Sequence, residues 1–254
     1  MPKAEQIAGW MRRRLLSSGS RGFVVGLSGG VDSAVVARLA QLAAPGSVVA
    51  VILPSHSDPA DERDAASIAK HFSLITIRAD LSDAYDTTIA AAHAAEQALP
   101  GPMRDRPGDD PIRSRRPLAN LKPRLRMAAL YFLANRLDYL VAGTSNRSEL
   151  SIGYFTKHGD GGCDLLPIGH LVKSEVRALA RALDLPSAII ERTPSAGLWI
   201  GQSDEEEMGF TYADLERYLE EGPQGVSPAL AMKIERLIRS TEHKRTLPPI
   251  PDND

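Results

Sequence analysis

The sequence is short of several things, and each shortage removes a class of protein. One cysteine, Cys163, stands in 254 residues, so no internal disulfide forms and no cysteine cluster can hold structural zinc. A reducing cytoplasm is the expected setting. His56, His71 and His93 lack metal-ligand spacing. Aromatic residues make up 5% of the chain, and no apolar run reaches the roughly 20 residues that cross a bilayer. The segment 11–16 is basic but has no apolar core of signal-peptide length. Net charge is nearly absent: 30 Lys plus Arg against 32 Asp plus Glu give −2. That balance argues against a nucleic-acid binder held by bulk charge, with Arg113, Arg115 and Arg116 left as a local basic cluster. A Walker A lysine is missing as well.

What is present is ordinary in bulk, 43% hydrophobic and 24% charged, as in soluble globular proteins. The length suits one large α/β domain across 1–254. The informative stretch is 23–34, where Phe23, Val24, Val25 and Gly26 run into Leu27, Ser28, Gly29, Gly30, Val31, Asp32 and Ser33. An apolar strand here meets a glycine-rich turn and then a helix over 34–42. Paired glycines let backbone approach a polyphosphate, Ser28 and Ser33 add hydroxyls, and the helix N-terminus supplies a positive end. Asp32 inside such a loop would repel phosphate unless a cation accompanies it.

Around this turn the pattern alternates. Residues 4–16 space Ile7, Trp10, Met11 and Leu15 as a packed helix does. Residues 47–54 form a continuous apolar run, as in a parallel strand covered on both faces. Asp58 and Pro59 open a helix, 72–77 resume strand character, 124–136 read as helix and 139–142 as a short strand. The expected fold is a doubly wound, mainly parallel α/β sheet with helices on both faces. Residues 99–117, dense in proline, glycine and charge, are expected to be a flexible loop, either a solvated insertion or a cover whose arginines meet phosphate.

The turn resembles the pyrophosphatase loop of the ATP-pyrophosphatase superfamily, whose members activate a carboxyl or carbonyl oxygen with AMP. Further motifs narrow this: Asn120, Arg124, Arg126, Met127 and Tyr131; 141–149; 153–162; 164–168; Lys173; 194–198; 202–205; and His243, Lys244, Arg245. Together they are similar to the NAD synthetase family across nearly the whole chain. The resemblance implies an adenine nucleotide alpha hydrolase-like fold and ATP-dependent amidation of deamido-NAD by ammonia. The route runs through an adenylated intermediate, with release of pyrophosphate and AMP.

The resemblance also implies roles. Asp32 and Glu149 match magnesium ligands. The loop Gly26–Ser33 matches the ATP cradle, with Thr144, Lys173 and Ser195 as further ATP contacts; some members carry Thr where Ser195 stands. Arg124, Lys157, Asp164, His243 and Lys244 match deamido-NAD contacts, with Asn120 and Tyr131 as additions. Tyr131 and Tyr154 are either core residues or ring platforms. Asp160 either shapes its turn or binds ammonium and takes a proton from it. Cys163 is assigned no chemistry. Residues 203–207 read either as a charged helix start or as a loop closing over nucleotide, and 243–254 as a segment reaching the dinucleotide. Ile52 stands where some members have an arginine that contacts ATP. A two-fold homodimer is implied, with free ammonia as donor and a separate glutaminase as the alternative source. Two competing readings are a tRNA-modifying or GMP-forming relative, and a nucleotide-binding regulatory module without turnover.

Overall fold

The computed structural model describes residues 2–104, 111–199 and 201–251. In chain order the elements are α1 (Pro2–Ser18), β1 (Gly22–Gly26), α2 (Val31–Ala43), β2 (Val48–Ile52), α3 (Pro59–His71), β3 (Thr76–Arg78), α4 (Ser82–Glu96), α5 (Gly101–Arg104), α6 (Pro111–Leu137) and β4 (Tyr139–Val141). Then come α7 (Arg147–Ile152), α8 (Lys173–Ala182), α9 (Ser187–Ile190), α10 (Asp204–Met208), α11 (Tyr212–Glu221) and α12 (Pro228–Ser240), with 3-10 turns at Pro223–Gly225 and Glu242–Lys244. No helix among the described residues is long and apolar enough to cross a membrane.

The four strands form one parallel sheet in the order β3-β2-β1-β4, extended past β4 by a parallel bridge from Ala142 to Leu165. β1 lies at the centre, and Phe23, Val24 and Val25 are fully buried. Phe23 and Val25 face a core with α1, α2 and α8, while Val24 joins Val51, Val141 and Ala134 of α6 on the opposite face. A separate cluster of Ile152, Met208, Phe210, Tyr212, Leu215 and Ile234 welds α7 to α10, α11 and α12. The chain leaves β1 towards β2 on one side and comes back to β4 on the other. The β1/β4 crevice is therefore the switch point at which such sheets bind ligands beyond their carboxyl ends.

Three expectations need correction. The helix after the glycine turn begins at Val31, not 34, because Gly29 (φ 86) turns the chain and Gly30 takes the cap position; Asp32 thus lies in the first helical turn. Strand character over 72–77 shrinks to Thr76–Arg78, because Ser73, at φ 50, makes a left-handed turn whose neighbours still bond back to α3. The loop expected over 99–117 is partly helical: Gly101–Arg104 form one turn and Pro111–Leu137 one 27-residue helix with Pro117 and Pro123 inside it. Residues 105–110 lie outside the described residues. Proline density pointed to a loop, but burial of Ala119, Lys122 and Pro123 outweighs the two missing amide donors.

Pro117 is exposed, so it bears the helix-interior penalty without packing in return. Pro117→Ala is expected to raise stability by about 1–3 kcal/mol, read from urea unfolding, with a gain in far-ultraviolet helical signal. An unchanged signal with lower stability would return this stretch to a loop.

Candidate active site

The glycine turn is internally braced. Ser28 and Ser33 hydroxyls lie 3.0 Å apart, the Ser28 amide donates to Ser33 Oγ (3.2 Å), and Ser33 Oγ donates to Gly30 O (3.0 Å). A Cβ on Gly29 would meet Asp61 O at 2.5 Å, so only glycine fits there. The cap residue Gly30 brings no side chain to the first amides of α2, which leaves the helix N-terminus open to an anion.

Beside this turn, Lys173 is 3% exposed, and its Nζ lies 2.5 Å from Asp32 Oδ2 and 3.5 Å from Glu149 Oε1. Asn146 organises both carboxylates. Its Oδ1 accepts from the Glu149 amide (3.1 Å), its amide donates to Glu149 Oε2 (3.1 Å), and its Nδ2 donates to Asp32 Oδ1 (3.0 Å). The capping box of α7 thus holds one oxygen of Glu149 and leaves the other aimed at the ammonium. Tyr212 adds a second layer: its ring lies 5.1 Å from Lys173 Nζ and its hydroxyl donates to Asp204 Oδ2 (2.9 Å). The Tyr154 hydroxyl is shared between Asp204 and Glu207 at 3.1 and 2.8 Å. Burial opposes charge on Lys173, but the Asp32 and Glu149 carboxylates outweigh it and hold its pKa above the usual lysine value. Burial pushes Glu149 upward, with Lys173 opposing and Asp32 reinforcing. Burial, then Glu149 and Asp204, raise Tyr212 far above the ordinary phenol.

Counted as ions, Asp32, Glu149 and Asp204 exceed Lys173 by two negative charges. Among the described residues no three His, Cys, Asp or Glu side chains converge as a metal cage. An added cation here would therefore share Asp32 and Glu149 with ligands from a bound polyphosphate, the coordination that suits magnesium.

A second group forms along the middle of α6. Asn120 Oδ1 accepts from Thr156 Oγ1 (3.0 Å), Arg124 Nε donates to Lys157 O (3.3 Å), and Lys157 Nζ donates to His243 O (2.5 Å). Lys244 Nζ donates to Gly153 O and Phe155 O, both at 2.7 Å. Asn120, Arg124, Lys157, His243 and Lys244 are therefore brought together, although Lys244 spends its ammonium on backbone carbonyls. Asp160 is exposed in the same turn, with one oxygen accepting from the Thr156 amide (2.8 Å). Residues 252–254 lie outside the described residues.

Tyr131 and Asp164 stand apart from that group. The Tyr131 hydroxyl donates to Asp164 Oδ1 (3.0 Å), and Asp164 Oδ2 accepts from the Val141 amide (2.7 Å). Both line a cavity of about 480 Å³ that runs to the α1–β1 turn at Ser18–Arg21. Thr144 lies on the turn after β4, and Ser195, exposed, accepts from the Gly197 amide (3.1 Å). Cys163 has its thiol pushed up to about 11, chiefly by burial and then by Asp164, which leaves it without thiolate character.

Sequence reading gave no role to Asn146, Tyr212, Lys122 or Arg126, and took Asp204 only as part of 203–207, read as a charged helix start or a loop closing over nucleotide; it opens α10. The Asn146-x-x-Glu149 spacing was a legible capping signal; Asp204 and Tyr212 carried none, because distant packing delivers them. Lys122 donates to Leu198 O (2.9 Å), and Arg192 pairs with Asp61 and Asp64. Together they fasten the 192–198 strap to α6 and α3.

This arrangement has known counterparts. The chain is 48% identical over 249 residues to the NH(3)-dependent NAD(+) synthetase of Carboxydothermus hydrogenoformans, covering 98% of this chain and 96% of that one. The NMN synthetase structure from Francisella tularensis superposes with TM-score 0.87 and 34% identity, covering 99% and 98% of the two chains. The NH3-dependent NAD synthetase structure from Campylobacter jejuni, with nitrate, gives 0.77 and 28% over 99% and 98%. A family model described as NAD synthase matches residues 3–248. With that match spanning the glycine turn, the Asp32–Lys173–Glu149 cluster and the Lys157–His243 junction alike, the chain belongs to the NAD synthase family.

Proposed function

We propose that this chain amidates deamido-NAD to NAD with ammonia and ATP, through an adenylated carboxylate, as one synthetase domain across 1–254. The observation that carries the reading is the convergence of Asp32, Glu149 and Lys173 beside an open helix N-terminus at the switch point of the sheet.

In this reading the backbone of Gly26–Ser33, with the Ser28 and Ser33 hydroxyls, cradles the pyrophosphate half of ATP, and Thr144, Lys173 and Ser195 complete the ATP contacts. The nicotinate carboxylate attacks the α-phosphorus, forming a carbonyl-O–P bond as the bond to pyrophosphate breaks. Ammonia then attacks the activated carbonyl, AMP leaves with its electron pair, and Asp160 takes the proton released from nitrogen. Asn120, Arg124, Lys157, His243 and Lys244 hold the dinucleotide, with Tyr131 and Asp164 at its far end. Asp32 and Glu149 would hold Mg2+, which neutralises charge gathering on phosphate oxygens. Once ATP arrives, the Lys173 ammonium passes from carboxylates to phosphate; its double pairing keeps it charged until then. The cytoplasm, where ATP and ammonium meet, is the proposed location.

A homodimer is part of the proposal. α4 buries none of its residues, and on α6 Phe132 is 65% exposed, next to Tyr131 and the 480 Å³ cavity. A two-fold contact there would close that cavity with a second copy. A second reading changes the acceptor: likeness to an NMN synthetase at TM-score 0.87 favours a mononucleotide substrate, amidated to NMN by the same steps.

The deciding assay supplies ATP, magnesium and ammonium or glutamine with either deamido-NAD or the mononucleotide acid, and follows amide and pyrophosphate. Turnover of deamido-NAD with ammonium is expected; preference for the mononucleotide establishes the second reading, and neither product from folded protein leaves a regulatory module. Asp32→Asn is expected to lower kcat by at least about 100-fold with the fold retained; normal turnover would remove Asp32 from the metal site. Lys173→Met is expected to cost about 3–5 kcal/mol of stability, because two buried carboxylates lose their counter-charge, read from the urea midpoint. Phe132→Glu is expected to give monomers by light scattering, with activity reduced; a fully active wild-type monomer would overturn the dimer.

A further inference from the structure

Two cations on α6, Lys122 and Arg126, are four residues apart and share one helix face. Among the described residues neither forms a salt bridge. Lys122 is 7% exposed, and its ammonium donates to His56 O (3.3 Å) and Leu198 O (2.9 Å). Arg126 donates from Nε to Leu53 O (3.0 Å) and from Nη2 to Ser57 Oγ (3.0 Å). Burial and then the Arg126 charge lower the Lys122 pKa, and burial lowers that of Arg126. Burying a charge without a counter-charge is costly; Lys122 is buried and Arg126 partly so, and among the described residues neither bonds directly to a carboxylate. Such a pair is suited to an anion that arrives from outside.

The register says where that anion lies. Gly26 stands opposite Val51, and the Leu27 amide donates to Val51 O (2.8 Å). β1 ends at Gly26 and β2 at Ile52, so Leu53 and the turn that begins at Leu27 leave the sheet at the same carboxyl edge. Arg126, bonded to Leu53 O, therefore stands at the edge of the sheet from which the phosphate turn leaves. The helix is seated closely: a Cβ on Gly26 would stand 3.3 Å from Leu130 Cδ1, one turn beyond Arg126. The Asp61 and Asp160 carboxylates are both within Coulombic range of the guanidinium and oppose the effect of its burial. Arg124, half a turn back on α6, bonds to the turn that carries Asp160. Arg126 is thus near both the sheet edge that carries the phosphate turn and the group assigned to the acceptor. In the adenylation step the phosphorus between those two is the α-phosphorus.

We propose that Arg126 contacts the α-phosphate of ATP and keeps that contact on the adenylated intermediate, with Lys122 adding positive potential and holding the 192–198 strap in place. The proposal rests on the adenylation reading above. A guanidinium with Nε and one Nη fixed on the protein still offers its other N–H groups to phosphate oxygens in a planar fork.

The test measures calorimetric binding of ATP, AMP and adenosine to the intact enzyme, its Arg126→Gln variant and its Arg126→Lys variant, with melting temperatures alongside. Arg126→Gln is expected to weaken AMP and ATP by at least about tenfold and adenosine by less than twofold; Arg126→Lys is expected to recover part of the loss. Equal weakening of adenosine would mean that Arg126 only shapes the loop after β2, and weakening of ATP without AMP would place it on the terminal phosphates; either overturns the proposal. If the glutamine variant does not fold, the lysine variant decides, since a point charge should bind AMP more weakly than the fork while adenosine is unaffected. Wild-type turnover is assayed separately, so failure to form amide with AMP binding intact would strike the reaction and leave the Arg126 result standing.

Discussion

The Lys173 ammonium lies between Asp32 and Glu149, and three segments distant in sequence, the first turns of α2, α7 and α8, meet at that point. None of the three side chains is stable there alone. A buried carboxylate without its partner costs several kcal/mol, and a buried lysine without carboxylates loses its proton. Each is tolerable only because the parallel sheet brings the loops after β1 and β4 side by side and because α8 starts beneath both. Asn146 converts that proximity into fixed geometry by bonding both carboxylates at once. Counted as ions with Asp204, the carboxylates outnumber the one ammonium, which is the imbalance that the proposed magnesium would offset.

The opposite wall has the complementary imbalance. α6 carries Lys122 and Arg126 on one face and Arg124 on another, and their partners are backbone carbonyls and a hydroxyl. One side of the cleft is acidic with a lysine at its heart; on the other the cations bond to carbonyls and a hydroxyl, with Asp61 and Asp160 within Coulombic range of Arg126. In the proposed reading a magnesium-polyphosphate would meet carboxylates on the first wall and cations on the second. The two prolines in α6 belong to this arrangement: Pro123 is buried beside Lys122, at the turn where the helix presses against the site.

Much of the fold could be read directly. The alternation of apolar runs and helical spacing in the first 80 residues produced the parallel order, and the glycine turn announced an anion site because its residue types have few other uses in that context. Where reading failed, the cause was tertiary. Proline density over 99–117 outvoted helical pattern because local propensity omits the burial of Ala119 and Pro123. Ser73 in a left-handed conformation shortened β3, and nothing in a serine advertises that.

At the site, the sequence by itself determined the ingredients: the Ser28–Ser33 turn, the carboxylates Asp32 and Glu149, and Lys173, each recognisable from motif context. It also determined that Asn146 and Glu149 would cap one another, since that bond spans three residues. Only the tertiary structure decided that Lys173 faces carboxylates, that Tyr212 and Asp204 back them, that Tyr131 and Asp164 fall away from the Arg124 group, and that Lys122 and Arg126 donate to the segments after β2 and to the 192–198 strap. The reason is range. Caps, turns and helix starts are settled by neighbours a few bonds away, whereas a buried charge takes its partner from whichever segment the packing of sheet and helices happens to bring within 3 Å.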